Sequence, residues 1–228
     1  MKRLIAMLEL QQELNDATNG LGWESGSTDS GKIIDWRRCI YLESAELVES
    51  YPWKHWKNID AEPDYDNIKI EAVDIWHFVM SEALRIYKIE GRGSISDLAR
   101  DISTQKSYMP FDTTIPIEHD DHYQEIIIVE EFIKSLFCND SIEILIDKFF
   151  VVALQSGLNF DTLYSLYIGK NILNKFRQNH GYKDGSYIKI WNGSEDNVIM
   201  QRILEQSSDI APMELYAKLE ESYPKANE

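Results

Sequence analysis

Apolar residues recur along most of this chain at the three-to-four-residue spacing of helices, and they do not alternate as in strands. Ile5, Leu8, Leu10 and Leu14 give residues 2–18 one apolar face. Asn19 to Gly31 carries four glycines and reads as a loop. Ile33 to Ser50 is helical by spacing, with Pro52 as its stop. Glu62 to Asp66 is a turn, and Asn67 to Ile89 forms a long helix whose apolar positions include Ile68, Val73, Trp76 and Leu84. Ser94 to Pro116 is patterned poorly and predicts a short helix followed by an irregular excursion. Asp121 to Phe137 is helical. Asn139 and Asp140, with Glu143 at capping-box spacing, predict the start of a helix running to about Gln155. Asp161 predicts the cap of another running to about Gln178, and Asp196 and Ala211 open two more. No pair of alternating runs faces across a turn, so the expected fold is all-α, a helical bundle of about eight or more helices.

Composition narrows the class. A chain of 228 residues with 43% hydrophobic and 27% charged residues can bury a full core and is globular. It is read as a single domain over 1–228. No apolar run reaches the length of a bilayer span. The first helix breaks its apolar run at Glu9, which sets it apart from a signal peptide and predicts a cytoplasmic protein with no membrane partner. Cys39 and Cys138 stand alone and read as reduced, structural thiols. A net charge of −16 excludes a nucleic-acid polymer as partner, because neutralising phosphates needs an excess of Lys and Arg. A small polyphosphate stays compatible, given a metal and a local basic cluster.

Two acidic stretches carry the chemistry. Glu43, Glu46 and Glu49 lie three apart on one helix, and Glu71 and Asp74 three apart on the next. Packed together, these helices would crowd carboxylates around one point, which calls for a cation. Mg²⁺ takes oxygen ligands and usually shares them with substrate phosphate. A solvated acidic face is the alternative, but the apolar neighbours Ile40, Leu42, Ala45 and Leu47 argue for burial, where a carboxylate needs a cation or a proton. Asp74 and His77 approach the Glu-x-x-His of di-iron bundles; those need two such motifs, so His77 reads as a satisfied core histidine.

Positive charge gathers elsewhere. Lys170, Asn174 and Arg177 share a helical face, and Gly181-Tyr182-Lys183 follows as that helix ends. An ammonium, an amide, a guanidinium and a phenol suit the phosphates and sugar of a nucleotide; a solvated basic helix end is the competing reading. Pro52-Trp53-Lys54-His55-Trp56-Lys57 offers rings to stack on a base and ammonium groups for phosphate, or else two tryptophan core anchors. Gln12 and Asn15 carry amides three apart, able to read the donor–acceptor edge of a pyrimidine or to remain surface groups.

Taken together, these blocks resemble a known family. They run Gln11-Gln12-x-Leu14-Asn15, Glu43-x-x-Glu46-x-x-Glu49-Ser50, Pro52-Trp53-Lys54-x-Trp56-Lys57 and Glu71-x-Val73-Asp74-x-x-His77-Phe78. Lys170-Asn171-x-Leu173-Asn174-x-Phe176-Arg177, Gly181-Tyr182-Lys183 and Asp196-Asn197 complete the series. The chain resembles the dimeric all-α dUTPases of the Campylobacter and trypanosomatid type, within the all-α nucleoside triphosphate pyrophosphatases that include MazG-like proteins.

The resemblance implies Mg²⁺-dependent hydrolysis of dUTP, and of dUDP, to dUMP by a homodimer. Two or three Mg²⁺ ions, with Mn²⁺ a substitute, would be held by Glu46, Glu49, Glu71 and Asp74, with Glu43 close by. Glu46 or Glu49 would activate the attacking water. Gln12 and Asn15 would read uracil, with Trp53 or Trp56 and Lys57 beside it. Asn174 would hold the sugar hydroxyl. Lys170 or Asn171, with Arg177, Tyr182 and Lys183, would grip the phosphates, and Asn197 would close the site. Surplus apolar face at Phe132, Ile133, Leu136, Phe137, Phe149, Phe150, Val151 and Val152 also predicts a dimer. A broader-specificity pyrophosphatase of the same fold is the alternative.

Overall fold

The computed structural model describes every residue except 59, 114–120, 139, 208–209 and 225–228. Among the described residues it is all-α, with ten α-helices and one two-stranded sheet. The chain divides into two compact units, Met1–Leu163 and Tyr164–Glu228.

The first unit is built around α3 (Tyr65–Glu90), a 26-residue helix apolar on most of its circumference. Such a helix must be covered on all sides. It packs against α1 (Lys2–Asn19), α2 (Trp36–Glu49), α4 (Ile95–Ser103) and α7 (Ile142–Gln155). Next, α6 (His122–Phe137) packs on α2 and α7, and α5 (Tyr108–Thr113) on α7. Trp76 of α3 stacks on Phe149 of α7 at 4.8 Å between ring centres, with Phe150 against both. Of the residues expected to form a surplus apolar face, Phe132, Leu136, Phe149, Phe150 and Val152 are buried within the chain, whereas Phe137 and Val151 are exposed.

Local chemistry sets the helix ends. Asp35 caps α2 by accepting from Arg38 N at 3.0 Å, so the helix opens at Trp36 and not at Ile33. Ile33 instead forms an isolated bridge with Ser27. Asp64 caps α3 from within the expected turn, and Gly91, at φ 64°, ends it. The excursion after α4 contains α5, with Pro110 tolerated in its first turn; residues 114–116 lie outside the described residues. Asp121 caps α6 as expected. Ser141, not Asp140, caps α7; Asn139 lies outside the described residues. For α8 (Phe160–Asn179) Asp161 is not the cap: Asn159 and Thr162 exchange two side-chain-to-backbone bonds of 2.9 Å at its start.

In the second unit, β1 (Ile190–Trp191) and β2 (Ser194–Glu195) pair antiparallel, ahead of α9 (Asp196–Gln206) and α10 (Pro212–Ser222). This hairpin corrects the expectation of no facing strands. Its turn is Asn192-Gly193, with φ 51° and 86°, and Asn-Gly is the pair that tight hairpins favour. Phe176 anchors an aromatic cluster with His180, Tyr187, Trp191, Tyr216 and Tyr223.

Candidate metal and nucleotide-binding residues

The pairing of α2 with α3 gathers three carboxylates. Glu43, Glu46 and Glu71 each offer an oxygen within 4.8 Å of the others, with Glu71 buried, Glu43 half-buried and Glu46 exposed. Two unit charges at that spacing repel by about 3 kcal/mol at an effective dielectric near 20, before water screens the exposed member. A hard divalent cation would reverse the sign of that interaction, and carboxylate oxygens are its natural ligands. The donor set therefore fits such an ion. Glu49 is turned elsewhere and pairs with Lys54 Nζ. Asp74, half-buried, follows Glu71 by three residues on α3 and is not one of the three. A helix advances about 100° per residue, so each three-residue step drifts about 60° around the axis. Glu43 and Glu49 consequently face directions about 120° apart.

Burial and neighbouring charge together disable Cys39. Burial and then the neighbouring Glu43 and Asp35 carboxylates push its thiol up to about 11, far from a nucleophile's range. Both cysteines are free thiols.

Among the expected base readers, Asn15 is buried and Gln12 half-buried. Asn15 Nδ2 donates to Ser81 Oγ at 3.0 Å, and Asn15 Oδ1 accepts from Gln11 Nε2 at 3.1 Å. Gln11 Nε2 also reaches Ser81 Oγ at 3.1 Å, and Gln11 Oε1 meets His77 Nδ1 at 2.7 Å. His77 is thus a buried histidine tied to this network through Nδ1. Gln12 Nε2 donates to Asp16 Oδ1 at 3.0 Å and to Glu24 Oε1 at 3.3 Å. Trp53 is half-buried against Trp56 at 5.5 Å, with Lys54 Nζ over its ring, while Trp56 is largely exposed and Lys57 exposed.

The second unit holds the cationic residues. Arg177 clasps Asp196 through two bonds of 2.8 Å, and Tyr187 donates to the same carboxylate at 2.8 Å. Lys170, buried on α8, donates from Nζ to Asn197 Oδ1 at 2.9 Å. Arg177 also donates to Asn174 Oδ1 at 3.2 Å and to Asn197 Oδ1 at 3.3 Å, and it lies over the Tyr182 ring. Lys170, Asn174, Arg177 and Asn197 are brought together; Asn171 is buried near Tyr167, and Lys183 is exposed. Sequence reasoning missed Asp196 as the hub. Burial raises its carboxyl, but the bonds and charge of Arg177, with Tyr187 and Lys170, outweigh burial and hold it below the ordinary range. Burial and the bond to Asp196 in turn push the Tyr187 hydroxyl far up.

A family sequence model, described as dUTPase, matches residues 3–182. No match is found among curated proteins.

Proposed function

The chain belongs to the dUTPase family, and from that premise we propose how its residues act on the nucleotide. As a dUTP diphosphatase it hydrolyses a phosphoric anhydride of a small nucleotide. Beyond that, we infer that it depends on Mg²⁺, in two or three ions with Mn²⁺ as a substitute, that it accepts dUDP as well as dUTP, and that water attacks the β-phosphorus. Water and dUTP would then give dUMP and pyrophosphate. The observation that supports this reading most is the convergence of Glu43, Glu46 and Glu71.

Glu46, Glu49, Glu71 and Asp74 would hold the metal, with Glu43 contributing through its place in the cluster. A bound divalent cation would neutralise charge developing on the phosphate oxygens. Glu46 or Glu49 would orient the attacking water and take its proton. Glu49 has an ammonium partner in Lys54 whereas Glu46 lies among carboxylates, so the two glutamines substituted there separate the roles. Gln12 and Asn15 would read uracil, with Trp53, Trp56 and Lys57 flanking the base. In the second unit, Asn174 would hold the sugar, and Lys170, Arg177, Tyr182, Lys183 and Asn197 the phosphates.

The 228 residues would act as one dUTPase-like domain, homodimeric and cytoplasmic. Among the described residues no helix is long and apolar enough to cross a membrane. The exposed Tyr41–Phe137 ring pair offers an apolar contact on α2 and α6 for a second copy. A hydrolysis panel of dUTP, dUDP, dCTP and dTTP with Mg²⁺, with products identified, tests the reading. Preference for dUTP and dUDP with dUMP as product is expected; comparable rates on dCTP would replace it with a broad-specificity pyrophosphatase. A monomer by light scattering at micromolar concentration would remove the dimer.

A further inference from the structure

Amides and hydroxyls in the first unit form a chain whose polarity is fixed from one end. Ser81 Oγ lies 2.8 Å from the His77 carbonyl oxygen, which can only accept, and 3.4 Å from Asn15 Oδ1. The hydroxyl has one proton, and the shorter bond to the carbonyl takes it. With its proton directed at the carbonyl, Ser81 Oγ accepts from the Gln11 and Asn15 amide nitrogens, at 3.1 and 3.0 Å. Asn15 is thereby held with Nδ2 toward Ser81, and its Oδ1 is secured by Gln11 Nε2. Gln12 obeys the same logic: its Nε2 faces the Asp16 and Glu24 carboxylates, which reject a carbonyl oxygen. Rotating Asn15 by 180° would set its nitrogen against Gln11 Nε2 and give up its bond to Ser81, and rotating Gln12 would set its oxygen against two carboxylates.

We propose that Ser81 and Asp16 are positioning residues that lock the Asn15 and Gln12 amides against this flip, and that the lock sets preference for uracil over cytosine. The inference rests on the reading that Asn15 and Gln12 face the base. Uracil offers an N3–H donor beside an O4 acceptor. Cytosine offers an N3 acceptor beside an N4 amino donor, the mirror of that pattern. An amide complementary to one becomes complementary to the other by exchanging its nitrogen and oxygen. Side-chain type alone therefore does not give discrimination; the orientation of the amide must be held. Ser81 holds it from α3, touching no base itself.

The test is the ratio of kcat/KM for dUTP to that for dCTP in wild type, Ser81→Ala, Asp16→Asn and Asn15→Ala. Each ratio comes from one preparation, so loss of folded enzyme cancels, and a purely structural role leaves it unmoved. Ser81→Ala should lower the ratio about 10-fold, as expected for one orienting bond, chiefly by raising relative activity on dCTP. Asp16→Asn, at a half-exposed position, should lower it less and serves where Ser81→Ala is poorly folded. If Asn15→Ala collapses the ratio while both positioning variants keep it within twofold of wild type, the lock is overturned and the base-reading role stands. If Asn15→Ala leaves the ratio intact, or wild type shows no preference, the base-reading role fails and the lock fails with it.

Discussion

The two charged clusters of this protein are built on opposite plans. In Tyr164–Glu228 opposite charges are paired: Arg177 is matched by Asp196, Tyr187 donates to the same carboxylate, and Lys170 donates to an amide oxygen beside them. In Met1–Leu163 three carboxylates share one small volume. A compensated cluster contributes to folding through its own bonds, since removing either partner leaves a buried charge. A like-charged cluster costs stability in isolation and gains it when a cation binds. Mutation should therefore affect the second unit first through stability and the carboxylate cluster first through activity.

The largest expected effect is on rate. Glu71→Gln should lower kcat by roughly 10²- to 10³-fold, the usual cost of losing one charge-stabilising group, with circular dichroism unchanged. Activity above about a tenth of wild type would remove the cluster from catalysis. Glu43→Gln and Glu49→Gln sharpen the comparison, because Glu43 lies in the cluster and Glu49 pairs with Lys54.

On the compensated side, Asp196→Asn leaves the largely buried Arg177 guanidinium without its carboxylate. It should destabilise the second unit by about 3 kcal/mol, read as a lower thermal midpoint and faster proteolysis after Tyr164. Unchanged stability would mean that the pair is not structural.

A smaller effect is expected from Lys170→Ala, about tenfold in kcat/KM for dUTP and dCTP alike, since a phosphate contact carries no base information. A change in base preference would move Lys170 out of the phosphate role.

The smallest effect is with pH. The folded Asp196 pKa lies below its ordinary value of 3.8. Its contribution is therefore complete above about pH 4 and is lost as pH falls further through the folded value. Thermal midpoints between pH 5 and 3 should drop more steeply for wild type than for Asp196→Asn. Parallel slopes would contradict the depressed pKa.

Much of this was legible in one dimension. Helix periodicity and local caps such as Asp121 are contained within a few neighbouring residues, and the pattern of carboxylates, amides and the Lys–Asn–Arg block sufficed to resemble the family that residues 3–182 match. The Asn192-Gly193 hairpin is equally local, but strands of two residues are too short to carry an alternating pattern. Capping at α7 and α8 shifted by one or two residues, since Ser, Asn and Asp side chains compete for the same backbone donors.

Tertiary structure alone decided which charges meet. Three-residue spacing marked a stripe of glutamates, but the rotation of α2 against α3 chose Glu43 and Glu46 as the pair beside Glu71, because a straight helix carries such a stripe around its axis. Asp196 showed in sequence only as a helix start; that it neutralises Arg177 depends on the fold returning α9 to α8 across 19 residues. Ser81 carried no sequence signal. It stands 66 residues from the asparagine it orients, and a hydroxyl's role is set by which acceptor claims its single proton. Sequence thus determined the groups available, while the direction of each bond awaited the packing that brought distant donors and acceptors within 3 Å or so.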